Sequence, residues 1–296
     1  MDPSYFRVEF KAMGSHCEIV IACNSEGLAY SYLGKCLEEV KKFESKYSRY
    51  ISDSFLSRIN SNAAEKWIEC DEETIELLKY ADFLFEISEG LFDITSGIYR
   101  KCWDFSNPII PSQESIDQLR NLVGWEKVLR KNNAIKFDIA GMEIDFGGFG
   151  KEYAVDKIAN FLLAKDVKSG FVNFGGDLRV LGPKTDGQPW VMAIIDPDNT
   201  SNNICSIPIH QGALATSGNY EKYFDVNGRR YCHLINPKTG LPVNYWKSVS
   251  VLASNTTQAG THSTIAMLKE SSSLSWLEDS NLSYLAIDLN NNQFKN

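Results

Sequence analysis

The chain has 296 residues, 43% hydrophobic and 23% charged, which excludes wholesale disorder and a fibrous repeat and leaves room for a sizeable core. Lys and Arg number 30 against 38 Asp and Glu, a net charge of −8, so the basic excess that grips nucleic acid through its phosphates is missing. No apolar run approaches the roughly 18 residues of a membrane span, and no membrane insertion is expected.

The opening segment MDPSYFRVEF shows no charged stretch followed by an apolar one, so no signal peptide is expected. Residues 7–22 hold apolar residues in partial alternation and are predicted as strand, broken by a turn at Met13-Gly14-Ser15. Residues 27–49 place Leu33, Leu37, Val40, Phe43 and Tyr47 at helical spacing among Lys and Glu, predicting a long amphipathic helix. Asp71 reads as the N-cap of a second helix carrying Ile75, Leu78, Ala81 and Phe85, which Gly90 stops. A short helix is predicted after Ser112, and a hairpin over 125–146 that turns at Lys131-Asn132-Asn133.

Further on, Asp145-Phe146-Gly147-Gly148-Phe149-Gly150-Lys151 is a glycine-rich break before a helix at 152–164. Phe171 to Phe174 reads as a strand ending in Gly175-Gly176-Asp177. Strands are predicted at 178–182, 189–195, 204–209, 231–235 and 248–253, polar turns at 184–188 and 197–203, and a final helix near 257–269. Strands and helices mix without strict βαβ alternation, so the expected class is α+β, with mixed or antiparallel sheets and flanking helices.

The chemistry-bearing residues are sparse. Cys17, Cys23, Cys36, Cys70, Cys102, Cys205 and Cys232 form no C-x-x-C and read as reduced thiols of a cytoplasmic protein. His16, His210, His233 and His262 show no zinc spacing. The absence of a Walker loop, of G-x-G-x-x-G and of G-x-S-x-G weakens the P-loop, Rossmann and α/β-hydrolase readings. The break at 145–151 is either a phosphate cradle, with free N–H groups at a helix start and the charge of Lys151, or an ordinary tight turn. Gly175-Gly176-Asp177 reads as a turn or bulge, and Ala215-Thr216-Ser217-Gly218-Asn219 as a polar turn. His233 precedes the turn Pro237-Lys238-Thr239-Gly240, as a structural or a catalytic histidine.

Seven segments in order resemble the ApbE family of FAD:protein FMN transferases. Met13-Gly14-Ser15 is similar to its Met-Gly-Thr opening, and residues 50–60 (YISDSFLSRIN) to its Asp-Ser-x-Leu-x-x-x-Asn segment. Phe92 to Gly97 with Trp103 resembles Phe-Asp-x-Thr-x-Gly … Trp, and residues 144–156 resemble x-Asp-Leu-Gly-Gly-x-x-Lys-Gly-x-x-x-Asp. Val172 to Asp177, Ala215 to Tyr220 and His233 to Gly240 are similar to Val-Asn-x-Gly-Gly-Asp, x-Thr-Ser-Gly-x-Tyr and His-x-x-Asp-Pro-x-Thr-Gly.

The resemblance implies an ApbE-like fold over 1–296, as one domain or as two lobes with the FAD site between them. It also implies cleavage of the FAD pyrophosphate and transfer of FMN to a threonine or serine of a target flavoprotein, with release of AMP. By carry-over, Met13, Tyr50, Leu91, Phe92, Asp93, Asp145, Lys151 and the Ile235 backbone would contact the flavin nucleotide, and His233 would lie near the reacting phosphate. Mg²⁺ is expected at the Gly148 carbonyl and Thr264. Three departures stand out. Asn236 replaces an aspartate, Glu152 replaces the glycine after Lys151, and Gly260 replaces the family's metal-binding aspartate, which should weaken the metal site. At about 100° per residue, His262 projects away from position 260 and is no substitute, while Thr264 shares its face. Two alternatives remain open: a pyrophosphatase giving FMN and AMP, and a degenerate member that only binds flavin.

Overall fold

A computed structural model describes residues 4–296. Met1–Pro3, the start of the segment read for a leader, lie outside the described residues. In chain order the elements are β1 (Ser4–Ala12), β2 (Ser15–Cys23), α1 (Glu26–Tyr47), α2 (Phe55–Asn62), β3 (Ile68–Glu69), α3 (Glu72–Ile87), α4 (Gln113–Arg120), β4 (Val128–Lys131), β5 (Ala134–Phe137), α5 (Gly150–Ala164), β6 (Gly170–Phe174), β7 (Asp177–Gly182), β8 (Trp190–Asp196), β9 (Asn199–Ile209), β10 (Gly212–Gly218), β11 (Tyr223–Val226), β12 (Arg229–Cys232), β13 (Trp246–Ala253), α6 (Thr256–Lys269), α7 (Ser273–Asp279), β14 (Ser283–Asp288) and β15 (Gln293–Lys295).

The frame is an eight-stranded sheet in the order β1-β2-β6-β7-β10-β13-β14-β15, every neighbouring pair antiparallel. Helices α1, α5 and α6 pack on one face. The β8–β9 hairpin covers part of the other, where Val20, Phe171, Leu178, Val180 and Leu214 meet Ile194 and Ile209. Both faces are therefore dry along the middle strands, which explains the unbroken run Ile19-Val20-Ile21: Ile19 and Ile21 point to the helices, Val20 to the hairpin. The fold is α+β, as expected.

Local signals account for most element ends. The Asp71 carboxylate accepts from the Thr74 N–H at 3.0 Å, and Ser112 caps α4 by accepting from Ser115 N–H at 3.2 Å. Phe174 pairs with Asp177 across a two-residue turn in which Gly175 and Gly176 both take positive φ (63° and 98°), the tight hairpin geometry glycine permits.

Several expectations fail for identifiable reasons. The glycine-poor stretch 197–203, read as a polar turn, is strand from Asn199, because β9 pairs with β8 in a separate two-stranded sheet whose first β9 residues are exposed and can be polar. The returning strand of the 125–146 hairpin ends at Phe137. The strand expected over 231–235 stops at Cys232, and Ile235 makes only an isolated bridge to Pro242. The segment 215–219, read as a turn, lies mostly in β10, deep in the sheet. Its sequence GALATSG has weak strand propensity, but fully buried Ala213 and Ala215 let the chain sit between β7 and β13 under α6. Helix α6 is not the last element: α7, β14 and β15 follow.

Candidate active site

The seven segments are brought into contact in a chain. Gly175 N–H donates to the His16 carbonyl at 2.8 Å, joining the 173–177 turn to the first hairpin. Asn60 bonds both ways with the Ile144 backbone, at 3.0 and 2.8 Å. Gly97 packs so closely on Asp145 that an added Cβ would lie 2.8 Å from the Asp145 Cβ. Trp103 Nε1 donates to the Gly240 carbonyl at 2.8 Å, and Tyr99 Oη to the Pro237 carbonyl at 3.0 Å. Gly240 is itself confined, with φ 71° and the Ile116 and Tyr99 side chains where a Cβ would go. Asp177 holds Lys151 Nζ at 2.7 Å and accepts from the Thr216 N–H at 3.3 Å. The His233 N–H donates to the Lys222 carbonyl at 3.0 Å.

The residues assigned to the flavin nucleotide divide into two groups. Met13 sits at φ 49° in the first turn, its N–H held by Glu44 at 2.6 Å, and Tyr50 is largely exposed. Leu91 is half-buried, as is Ile235. Phe92 and Asp93, by contrast, face inward. Phe92 is buried beneath Gly148, and the Asp93 carboxylate accepts from Thr95 N–H (2.8 Å), Thr95 Oγ1 (2.6 Å) and Trp125 N–H (3.0 Å). Asp93 thus shapes the loop that carries Leu91, with both oxygens engaged inside the fold. Asp145 is paired with Arg49 and accepts from the Gly147 N–H at 2.9 Å, setting the glycine turn. Arg49 also lies 5.1 Å from the Tyr50 ring. Sequence reading missed Arg49, although it immediately precedes a matched segment.

Beyond the glycine turn lies a charged centre. Burial pulls the Lys151 ammonium down, but Asp177, Glu152 and Glu221 outweigh it and hold it above the usual lysine range. Burial and then Asp177 push the Glu152 carboxyl far up. His233 is pushed down to about 4, by burial first and then by the positive charge of Lys222. Its Nδ1 is enclosed and has no hydrogen-bond partner among the described residues. The Asn236 departure costs no geometry: its Oδ1 accepts from Lys238 N–H (2.9 Å) and Thr239 N–H (3.3 Å), as a carboxylate would.

The three positions assigned to the metal lie around the start of α5 and the middle of α6. Gly148 precedes Phe149, the N-cap of α5, so its carbonyl stands outside the helical ladder. Thr264 Oγ1 lies 2.8 Å from Ser217 Oγ on β10. Gly260 is buried on the same face of α6. His262 points elsewhere, stacked on Trp276 with ring centroids 5.0 Å apart. Oxygen donors suit a hard cation, and a carboxylate is present here, though not on α6. Glu152 Cγ lies 2.6 Å from where a Gly260 Cβ would stand, and its Oε1 lies 2.8 Å away.

The antiparallel α+β frame thus brings the glycine turn at the start of α5, the Lys151–Asp177 pair and a histidine that feels the Lys151 charge into one region, an arrangement suited to binding phosphate. Comparison with known proteins places it more narrowly. The model of the ApbE family matches residues 13–286, and the chain belongs to that family. It is similar to the FAD:protein FMN transferase of Haemophilus influenzae, 30% identical over 85% of this chain and 77% of that protein. It is also similar to that of Vibrio cholerae, 33% identical over 72% of this chain, the match spanning a little under two thirds (64%) of that relative. Among solved structures, the ApbE protein of Thermotoga maritima superposes with a TM-score of 0.90 at 31% identity, covering 99% of this chain and 97% of that one.

Proposed function

We propose that this chain is an FAD:protein FMN transferase. The acceptor hydroxyl, a threonine or serine of a target flavoprotein, attacks the phosphorus on the FMN side of the FAD pyrophosphate. A P–O bond forms to the acceptor, the pyrophosphate P–O bond breaks, and AMP leaves. The observation that carries the reading is His233: an imidazole neutral at pH 7, with an unengaged Nδ1, close enough to Lys151 and Lys222 to feel both charges. A neutral imidazole can take the proton of the attacking hydroxyl, and the two lysines face the charge of the phosphates. Lys151 and the N-terminus of α5, which no side chain caps, orient the pyrophosphate. The exposed Tyr50 ring offers a flat wall to the flavin, and half-buried Met13 and Leu91 offer apolar contacts.

Mg²⁺ belongs to this reading: bound at the Gly148 carbonyl and Thr264 hydroxyl, it would neutralise charge on the phosphates. The chain acts as one domain, the nucleotide lying between the α5–α6 layer and the loops that follow α1 and α3. Seven free thiols suit the reducing interior of a cell, where the target would be met. Among the described residues, no helix is long and apolar enough to cross a membrane.

The test is incubation of the full chain with FAD, Mg²⁺ and a threonine-bearing target peptide, read by mass spectrometry. Peptide carrying FMN supports the reading. Free FMN and AMP without modified peptide would make the chain a pyrophosphatase, and unchanged FAD a binding module.

A further inference from the structure

Two of the departures from the family pattern meet in space. Where the resemblance expects a glycine after Lys151, α5 carries Glu152. Where it expects an aspartate on α6, the chain has Gly260. The Glu152 side chain lies over Gly260, in the volume a side chain there would need: Cγ, Oε1 and Cδ are 2.6, 2.8 and 3.0 Å from the position of an added Cβ. The two substitutions are an exchange of the large acidic and the small residue between facing helices.

Glu152 is unusual in its own right. It is only 7% exposed, and its Oε2 has no hydrogen-bond partner among the described residues. It forms no ion pair there either, because the adjacent Lys151 ammonium is held by Asp177 at 2.7 Å. A buried carboxylate with an unengaged oxygen is costly unless a cation or a donor completes it. Thr264, one turn beyond Gly260 on the same face of α6, and the Gly148 carbonyl, just before α5, are the neutral oxygens that the resemblance assigns to the metal. A hard divalent cation is the partner this set of donors suits.

We propose that Glu152 is the carboxylate ligand of the divalent metal in this protein, delivered from α5 in place of the aspartate that α6 lacks. The inference rests on the proposed function for the place of the metal, but its test does not depend on catalysis. Gly260 is then required: it leaves the space into which Glu152 folds. The expectation of a weakened metal site is replaced by one of a relocated ligand. It follows that Gly260→Asp alone gains nothing, since the new side chain collides with Glu152.

The experiment is a Mn²⁺ titration of the full chain followed by electron paramagnetic resonance, with Mg²⁺ as competitor. Thermal melts of each variant check the fold. Wild type should bind one Mn²⁺ saturably. Glu152→Gln, nearly identical in shape, should bind at least about tenfold more weakly with an unchanged fold, because charge count sets hard-cation affinity. Glu152→Gly should also lose binding, and Glu152→Gly/Gly260→Asp should recover most of it. The cycle would then be strongly non-additive, as expected of two residues sharing one volume. Wild-type affinity in folded Glu152→Gln, no saturable Mn²⁺ in wild type, or a double variant no better than Glu152→Gly would each overturn the inference. Failure of FMN transfer by wild type alongside a Glu152-dependent Mn²⁺ site would sink the functional reading and leave this one standing.

Discussion

Asp156 caps a helix that is not its own. From α5 it accepts the Thr257 N–H at 2.7 Å, the Thr257 hydroxyl at 2.6 Å and the Thr256 N–H at 2.9 Å, closing the N-terminus of α6, while Arg179 approaches the same carboxylate at 3.0 Å. The last aspartate of the glycine-turn motif therefore sets how α6 sits against α5, and with it the placing of Gly260 beside Glu152. Asp156→Ala removes charge-assisted bonds at a buried helix end and leaves Arg179 without its carboxylate partner, still bonded to Asn160. A loss of about 3 kcal/mol or more in denaturant unfolding is expected. A loss below about 1 kcal/mol would show that the cap is incidental.

Lys151→Met should raise the Kd for FAD by about tenfold or more, since a cation facing the pyrophosphate is lost and Asp177 becomes an unpaired buried acid. Lys151→Arg should retain part of the affinity. Fluorescence titration with FAD and with riboflavin separates the effects: riboflavin, which has no phosphate, should bind both variants alike. Equal loss for the two ligands would place Lys151 in the fold rather than in the phosphate site.

His233→Ala should lower the rate of flavin transfer by about 10²–10⁴-fold while changing FAD affinity far less, as expected for a group that acts on the attacking hydroxyl. Single-turnover kinetics at saturating FAD give the comparison. A variant whose turnover survives would remove His233 from the chemistry.

The depressed His233 has two consequences with pH. In the free enzyme it accepts a proton only near pH 4, so kcat/KM should show no His233 limb near 6.5 and fall only toward pH 4. For stability the sign is the same. Between about 6.5 and 4 the unfolded chain binds a proton that the folded His233 refuses, so stability declines as pH drops through that window. The His233→Gln variant should show a shallower decline in its denaturant midpoint over pH 4–7. Parallel curves for the two proteins would count against the buried, neutral imidazole.

Much of the frame was legible in the sequence, because it depends on near-neighbour patterns. The helical stripe of α1, the Asp71 cap, the helix start after Ser112 and the glycine turn at 175–176 each report a local requirement of backbone or burial. Motif order was legible for the same reason, and it led to the family. What the sequence left undecided depends on residues far apart in the chain. Strand β10 looks like a polar turn until β7, β13 and α6 surround its alanines. Asp93, expected at the nucleotide from the resemblance, also closes its own loop on Thr95 and Trp125, a role that no local pattern showed. Glu152 and Gly260 read as two separate defects, one adding a charge and one deleting a ligand. Only the packing of α5 on α6 puts the first into the volume left by the second, because a side chain's role is set by the space and the partners around it, and those come from both helices at once.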